Sequence, residues 1–301
     1  MRKRWPVLLG LAVVAGAAGF WALTRPSDLS APVQQALATH PADPVRGEAV
    51  FWAAGCSGCH AAPGIAFNAP LTDRLVLSGG RRFETGFGTF LAPNISNDTA
   101  EGIGGWTLEE FARAMTLGVS PTDAHYYPAF PYRAYAGATP GDVADLWAFW
   151  QQLPADATPS QPHDLPAPFT LRRALGLWKL AAGNTTPPPA PDDPVLARGH
   201  YLTETLAHCA ECHTPRDALG RLDTSQWMAG APNPSGQGRI PAIPPRGWSA
   251  EDIEAYLASG FTPAFDVVGG SMADVVIQMA QLDPEDRDAI AAWLLTLPPH
   301  E

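Results

Sequence analysis

The sequence predicts an all-α protein: two tandem helical domains behind an N-terminal transmembrane helix. Three observations carry that prediction. The five-residue word Cys56-Ser57-Gly58-Cys59-His60 returns as Cys209-Ala210-Glu211-Cys212-His213, and together the two use all four cysteines. The segments around each word repeat as well. An uncharged, mostly apolar run of 19 residues, Trp5 to Leu23, follows Arg2, Lys3 and Arg4.

Taken in order, residues 1–24 read as a membrane anchor. The apolar run is close to the ~20 residues that cross a bilayer, and the basic flank favours a cytoplasmic start with the remainder outside. A cleaved signal peptide is the competing reading, with Ala17-Ala18-Gly19 as its small-residue site; Phe20 and Trp21 prolong the run past a usual signal core. Either reading exports the rest of the chain. Residues 25–42 have few apolar residues and three prolines, and read as a tether that could reach up to roughly 60 Å.

The first domain is expected over 43–154 and the second over 193–299. Between them, 155–192 is a proline-rich linker with one helical candidate from Thr170 to Ala182, whose Leu171, Leu175 and Trp178 share a face. The domains align on each other. Asp43-Pro44-Val45 and Arg46-Gly47 precede the first word, as Asp193-Pro194-Val195 and Arg198-Gly199 precede the second. Trp106-Thr107-Leu108-Glu109 corresponds to Trp248-Ser249-Ala250-Glu251, each opening a helix with a hydroxyl cap and acid in its first turn. Those helices end at Gly118 and Gly260. Closing helices begin at Thr139-Pro140 and Asp283-Pro284, a cap followed by a first-turn proline.

The repeated word has a chemical reading. C-x-x-C-H is the attachment signature of a c-type haem. Two cysteines three apart on one helical turn can each form a thioether to one porphyrin, and the next histidine then points its imidazole at the iron. Cys56, Cys59, Cys209 and Cys212 are thus expected to hold two covalently bound haem c groups, with His60 and His213 as proximal ligands. A zinc site would not need histidine after both pairs, and cysteines three apart make poor disulfides. The order of helix, haem word, helix, loop and closing helix is that of a class I-like cytochrome c domain.

The sixth ligand separates the two halves. Twelve residues after Gly260 stands Met272, the expected sulfur ligand of the second iron; Met279 and Met228 read as core or misplaced. Twelve residues after Gly118 stands Phe130, which cannot ligate iron. For the first iron the alternatives are Met115, His125, His163 or no residue at all, and the sequence leaves them open.

Composition bounds the partners. Thirty-two prolines, 28 glycines and 46% hydrophobic residues describe a loop-rich globular protein. The formal charge of −11 argues against nucleic-acid binding. It serves solubility or steers a basic redox partner, and both readings stand.

Four strings extend the picture: Gly88-Thr89-Phe90-Leu91-Ala92-Pro93-Asn94-Ile95, Gly102-Ile103-Gly104-Gly105-Trp106, Tyr127-Pro128-Ala129-Phe130-Pro131-Tyr132 and Cys209-Ala210-Glu211-Cys212-His213-Thr214-Pro215-Arg216. Through them the chain resembles the membrane-bound cytochrome c subunits of bacterial alcohol, aldehyde and gluconate dehydrogenases, over nearly its whole exported part. That resemblance implies an electron carrier of the cytoplasmic membrane with its haem domains in the periplasm, and no catalytic residues of its own. Its partners would be a periplasmic dehydrogenase, a small redox protein or an oxidase. In that family the Tyr-Pro-Ala-x-Pro-Tyr string carries the axial methionine where this chain has Phe130, and three haems are usual where this chain has two. A dihaem enzyme of peroxidase or thiosulfate-oxidising type, with an open first haem, is the alternative.

Overall fold

The computed structural model describes residues 5–183, 187–236 and 238–300. Two helices precede the first domain, α1 (Trp5–Leu23) and α2 (Ala31–Thr39). The first domain contains α3 (Pro44–Ala53), α4 (Cys56–His60), α5 (Leu108–Leu117), α6 (Tyr132–Tyr135) and α7 (Pro140–Trp150). The linker carries α8 (Leu175–Ala182). The second domain contains α9 (Pro194–His200), α10 (Ala210–His213), α11 (Ala250–Ser259), α12 (Met272–Met279) and α13 (Pro284–Leu294).

The local rules read from sequence operate at most of these boundaries. Asp43 and Asp193 accept from the amides of Val45 and Val195, with proline at the first helical position. Thr107 with Glu110, and Ser249 with Asp252, form reciprocal capping boxes, and Gly118 (φ 59°) and Gly260 (φ 78°) close those helices in the left-handed region. In each domain the opening helix crosses the closing one at a glycine. A Cβ on Gly47 would lie 2.0 Å from the Asp145 carbonyl oxygen, and one on Gly199 would lie 1.9 Å from that of Ala289. Only glycine permits such close helix packing.

Three expectations are corrected. Among the described residues no helix is long and apolar enough to cross a membrane, so the expected transmembrane helix is not supported. Helix α1 does cover the expected run, but Gly10, Ala12, Ala15, Gly16, Ala17, Ala18, Gly19 and Ala22 give it little apolar area per residue. The basic flank Arg2, Lys3 and Arg4 lies outside the described residues. Second, the tether is folded. Leu29, Val33 and Leu37 recur at helical spacing, Leu29 and Leu37 are buried, and His40 and the Asp43 amide both bond the buried Asp145 carboxylate (2.9 and 2.7 Å). Third, the fold is mostly helical rather than all-α. Hairpins β1–β2 (Arg82–Thr85, Gly88–Leu91) and β3–β4 (Ala231–Pro232, Arg239–Ile240) interrupt it.

The linker helix starts later than expected, with a 3-10 turn before Leu175, and Leu171 is exposed. Its inward face is set by Gly176, where a Cβ would meet Thr24 at 2.6 Å. Arg173 on the same segment bonds Thr24 Oγ1 (2.8 Å) and stacks over Trp21 (4.2 Å), pinning the end of α1.

Candidate haem sites

Each haem word forms one helical turn, α4 or α10, in the bend between its domain's opening helix and its hairpin. Cys56 and Cys59 are half-buried, Cys209 is half-buried and Cys212 is exposed; none is in a disulfide. Burial pushes the Cys56 and Cys209 thiols up to about 12 and Cys59 to about 11, so they are neutral thiols, not thiolate nucleophiles.

The two histidines are held alike. His60 Nδ1 lies 2.9 Å from the Pro93 carbonyl oxygen, and His213 Nδ1 lies 2.8 Å from that of Pro241. A carbonyl only accepts, so each Nδ1 donates and Nε2 keeps its lone pair for a metal. Burial lowers His60 to about 4 and lowers His213 as well, keeping both neutral near pH 7. The backbone repeats the arrangement: Gly79 and Gly230 each donate to the carbonyl of the preceding histidine, both at 2.8 Å. Paired thiols on one turn, followed by an oriented neutral imidazole, fit a covalently attached haem in both domains.

The expected sixth positions follow loops that open with the same backbone bond. Tyr126 donates to Gly118, and Val268 to Gly260, each at 2.8 Å, so the loops leading to Phe130 and Met272 start identically. Met272 is the first residue of α12, not a loop residue, and is partly buried against the core. Phe130 sits among Tyr126, Tyr132 and Tyr135, with ring centroids 5.8–6.4 Å away.

The alternatives for the first iron have other employment. Met115 is buried inside α5, at the place of Leu257 in α11. His125 bonds the Thr24 carbonyl (2.9 Å) at the end of α1. His163 Nδ1 accepts from the Leu91 amide (3.1 Å), and its ring packs on Phe90 and Tyr127. In the second domain Met228 is core: Ile243 donates to its carbonyl as Ile95 does to that of Leu77, and both side chains are fully buried. Met279 is buried at the end of α12.

The interface between the domains was not foreseen. Each domain lays the short helix after its sixth position against the other domain's haem word. From the second domain, Asp274 on α12 pairs with Arg74 (3.2 Å) and Arg81 (2.6 Å); Arg81 also bonds the Gly58 carbonyl, and a Cβ on Gly58 would lie 2.6 Å from Gln278. From the first domain, Tyr135 on α6 packs on His208 (5.3 Å) and donates to Ala54 (2.6 Å). Gly55 and His208, each just before its first cysteine, share a left-handed backbone (φ 70° and 43°) and meet at the interface. Nothing in the sequence marks these contacts, among them Arg74–Asp274, whose partners stand 200 positions apart.

The sequence profile described as cytochrome c matches residues 44–154 and again 196–298. The chain belongs to the cytochrome c family. It is 52% identical to a dihaem cytochrome c-type protein of Cereibacter sphaeroides, with 99% of each chain covered. It is 37% identical to the fructose dehydrogenase cytochrome subunit of Gluconobacter japonicus, over 84% of this chain and 52% of that one. It is 32% identical to the gluconate 2-dehydrogenase cytochrome c subunit of Pantoea cypripedii, over 84% and 59%. This cytochrome thus spans one such relative fully, and little more than half the length of the dehydrogenase subunits. It is an electron-transfer cytochrome carrying two covalently bound haem c groups.

Proposed function

We propose that this cytochrome takes electrons from a periplasmic dehydrogenase and passes them to the respiratory chain, through an oxidase, a quinone or a small redox protein. The observation that carries the reading is the reciprocal interface: the two haem words face each other, each braced by the other domain's short helix, α12 or α6. The dehydrogenase subunits among its relatives support the donor class. When bound, each haem supplies a one-electron ferric–ferrous couple. The protein's own residues would attach it through Cys56, Cys59, Cys209 and Cys212, present His60 and His213 to the irons, and supply Met272 as the further ligand of the second.

Export to the periplasm, where His60, His213 and their cysteines would acquire haem, belongs to the same proposal. N-terminal sequencing of the mature protein and fractionation of cells for haem-stained protein test the address. Stopped-flow mixing of the oxidised cytochrome with a reduced periplasmic dehydrogenase purified from the same cells tests the function. Rapid, saturable reduction is expected, and reduction no faster than by an unrelated flavoenzyme overturns it. Phe130 favours a second reading, a dihaem enzyme with a reactive first haem; a high-spin component shifted by cyanide together with peroxide turnover would select it.

A further inference from the structure

The two domains differ at one buried position that the electron-carrier reading leaves unused. Between the helix-crossing glycine and the first cysteine, the second domain has one residue more than the first, and a π-helical segment, Tyr201–Leu206, absorbs it. Such bulges commonly sit at functional sites. Counting back from the cysteines, Glu204 stands where the first domain has Phe51, a fully buried ring packed on Phe149 (5.4 Å).

Glu204 is 5% exposed. Its Oε1 accepts from Trp293 Nε1 (2.9 Å) and its Oε2 from Trp227 Nε1 (3.1 Å). Among the described residues no cation forms an ion pair with it. Thr203 and Thr205 beside it are also buried, and the Thr203 hydroxyl has no partner. An unpaired carboxylate is costly in such a setting, and two indole donors offset only part of that cost.

We propose that Glu204 couples proton uptake to reduction of the second haem: for each electron a one-electron donor delivers there, the Glu204 carboxylate takes one proton from solvent and becomes the neutral acid. The haem gains one negative charge and the carboxylate loses one, so net charge in the buried region is conserved. Glu204 lies five residues before Cys209 on the segment that leads into the haem word, where a charge change is weakly screened. Burial already pushes its carboxyl up to about 7, which places the oxidised protein at the edge of protonation.

The other titratable groups around it are few. His200 stacks on Trp293 (4.8 Å), His300 bonds the Trp227 carbonyl (2.8 Å), and Asp223 is bound to Ser225 and Gln226. Cys209 becomes a thioether on haem attachment, and the charged residues of α13 occupy its opposite end. The proposal rests on the second haem being attached, which haem content checks independently.

The test is a potentiometric titration of the dihaem protein and of Glu204→Gln between about pH 6 and pH 8. In the native protein the second midpoint falls as pH rises, approaching a tenfold change in the reduction equilibrium per pH unit, about 59 mV for one electron. In Glu204→Gln, with two haems retained, it is flat, and His200→Asn and His300→Asn keep the native slope. Infrared difference spectra of the native protein show a carboxylic-acid carbonyl band gained on reduction. An equal slope in Glu204→Gln, or no such band in the native protein, overturns the proposal; the native spectrum decides alone if the variant fails to fold.

Discussion

The first and second haem domains share their attachment motif and diverge at the position where a sixth ligand is expected. Cap, crossing glycine, haem word, imidazole-orienting carbonyl and glycine-closed helix recur in both. Where the second domain offers Met272, the first offers Phe130 inside a cluster of three tyrosines. The loops before those residues also differ in cover. His125 is buried beneath the end of α1, whereas Val267, its counterpart before the Val268–Gly260 bond, is exposed, as are Phe261 and Phe265. Attachment is repeated because it is local and needs only five residues. The residue offered at the expected sixth position and its cover depend on what the rest of the chain lays over each loop, and there the copies differ.

The comparison breaks most readily at attachment. Replacing Cys56 and Cys59 by alanine is expected to halve the haem per chain in a pyridine haemochrome assay, leaving the second domain's spectrum largely intact. Retention of two covalent haems would show that the words are not independent.

Crossing glycines give the next largest effect. Gly47→Ala and Gly199→Ala place a methyl within 2.0 and 1.9 Å of a backbone carbonyl oxygen, and backbone must shift to admit it. Each is expected to destabilise its own domain by about 1–3 kcal/mol or more in denaturant titration. An unchanged midpoint in either would mean that the two crossings are not equivalent.

Phe130→Met sharpens the comparison by making the copies alike. It is expected to give the first haem the weak charge-transfer absorption of methionine–iron bonding and to raise its potential, since a thioether favours ferrous iron. If neither changes, the tyrosine cluster, not the missing sulfur, sets the first site.

The smallest expected effect concerns stability against pH. Glu204 has its folded pKa raised by burial to about 7 from an ordinary carboxyl value. Its contribution is therefore present at low pH, below the unfolded value, and is lost as pH rises through about 7. Glu204→Gln is expected to gain stability over the native protein at pH 8 and little at pH 4, read from urea midpoints. A gain that is equal at both would contradict the buried ionisation.

Residues that act through near neighbours were legible in the sequence. The haem words, Asp43, Thr107, Ser249, Gly118 and Gly260 each announce themselves by type and spacing. The helix α2 was hidden because Leu29, Val33 and Leu37 are sparse among polar residues, although their spacing was right. The apolar run Trp5–Leu23 falls short of an anchor because glycine and alanine lengthen it without giving it much apolar surface. The π-helical turn left one trace, the extra residue between Gly199 and Cys209, which only the domain comparison exposes. The reciprocal packing of α12 on the first haem word left none, since Asp274 and Arg74 are ordinary surface types until the fold sets a half-buried Asp274 on a buried Arg74.

The central claim is that the two irons differ because Met272 has no counterpart in the first domain. It is tested most directly by a spectroscopically monitored redox titration of the native protein beside Met272→Ala. Two separate midpoints are expected, with the methionine–iron absorption following only the higher one and vanishing in Met272→Ala while both haems remain attached. A single shared midpoint with both haems methionine-ligated, or that absorption surviving in Met272→Ala and disappearing in Met115→Ala, would contradict it.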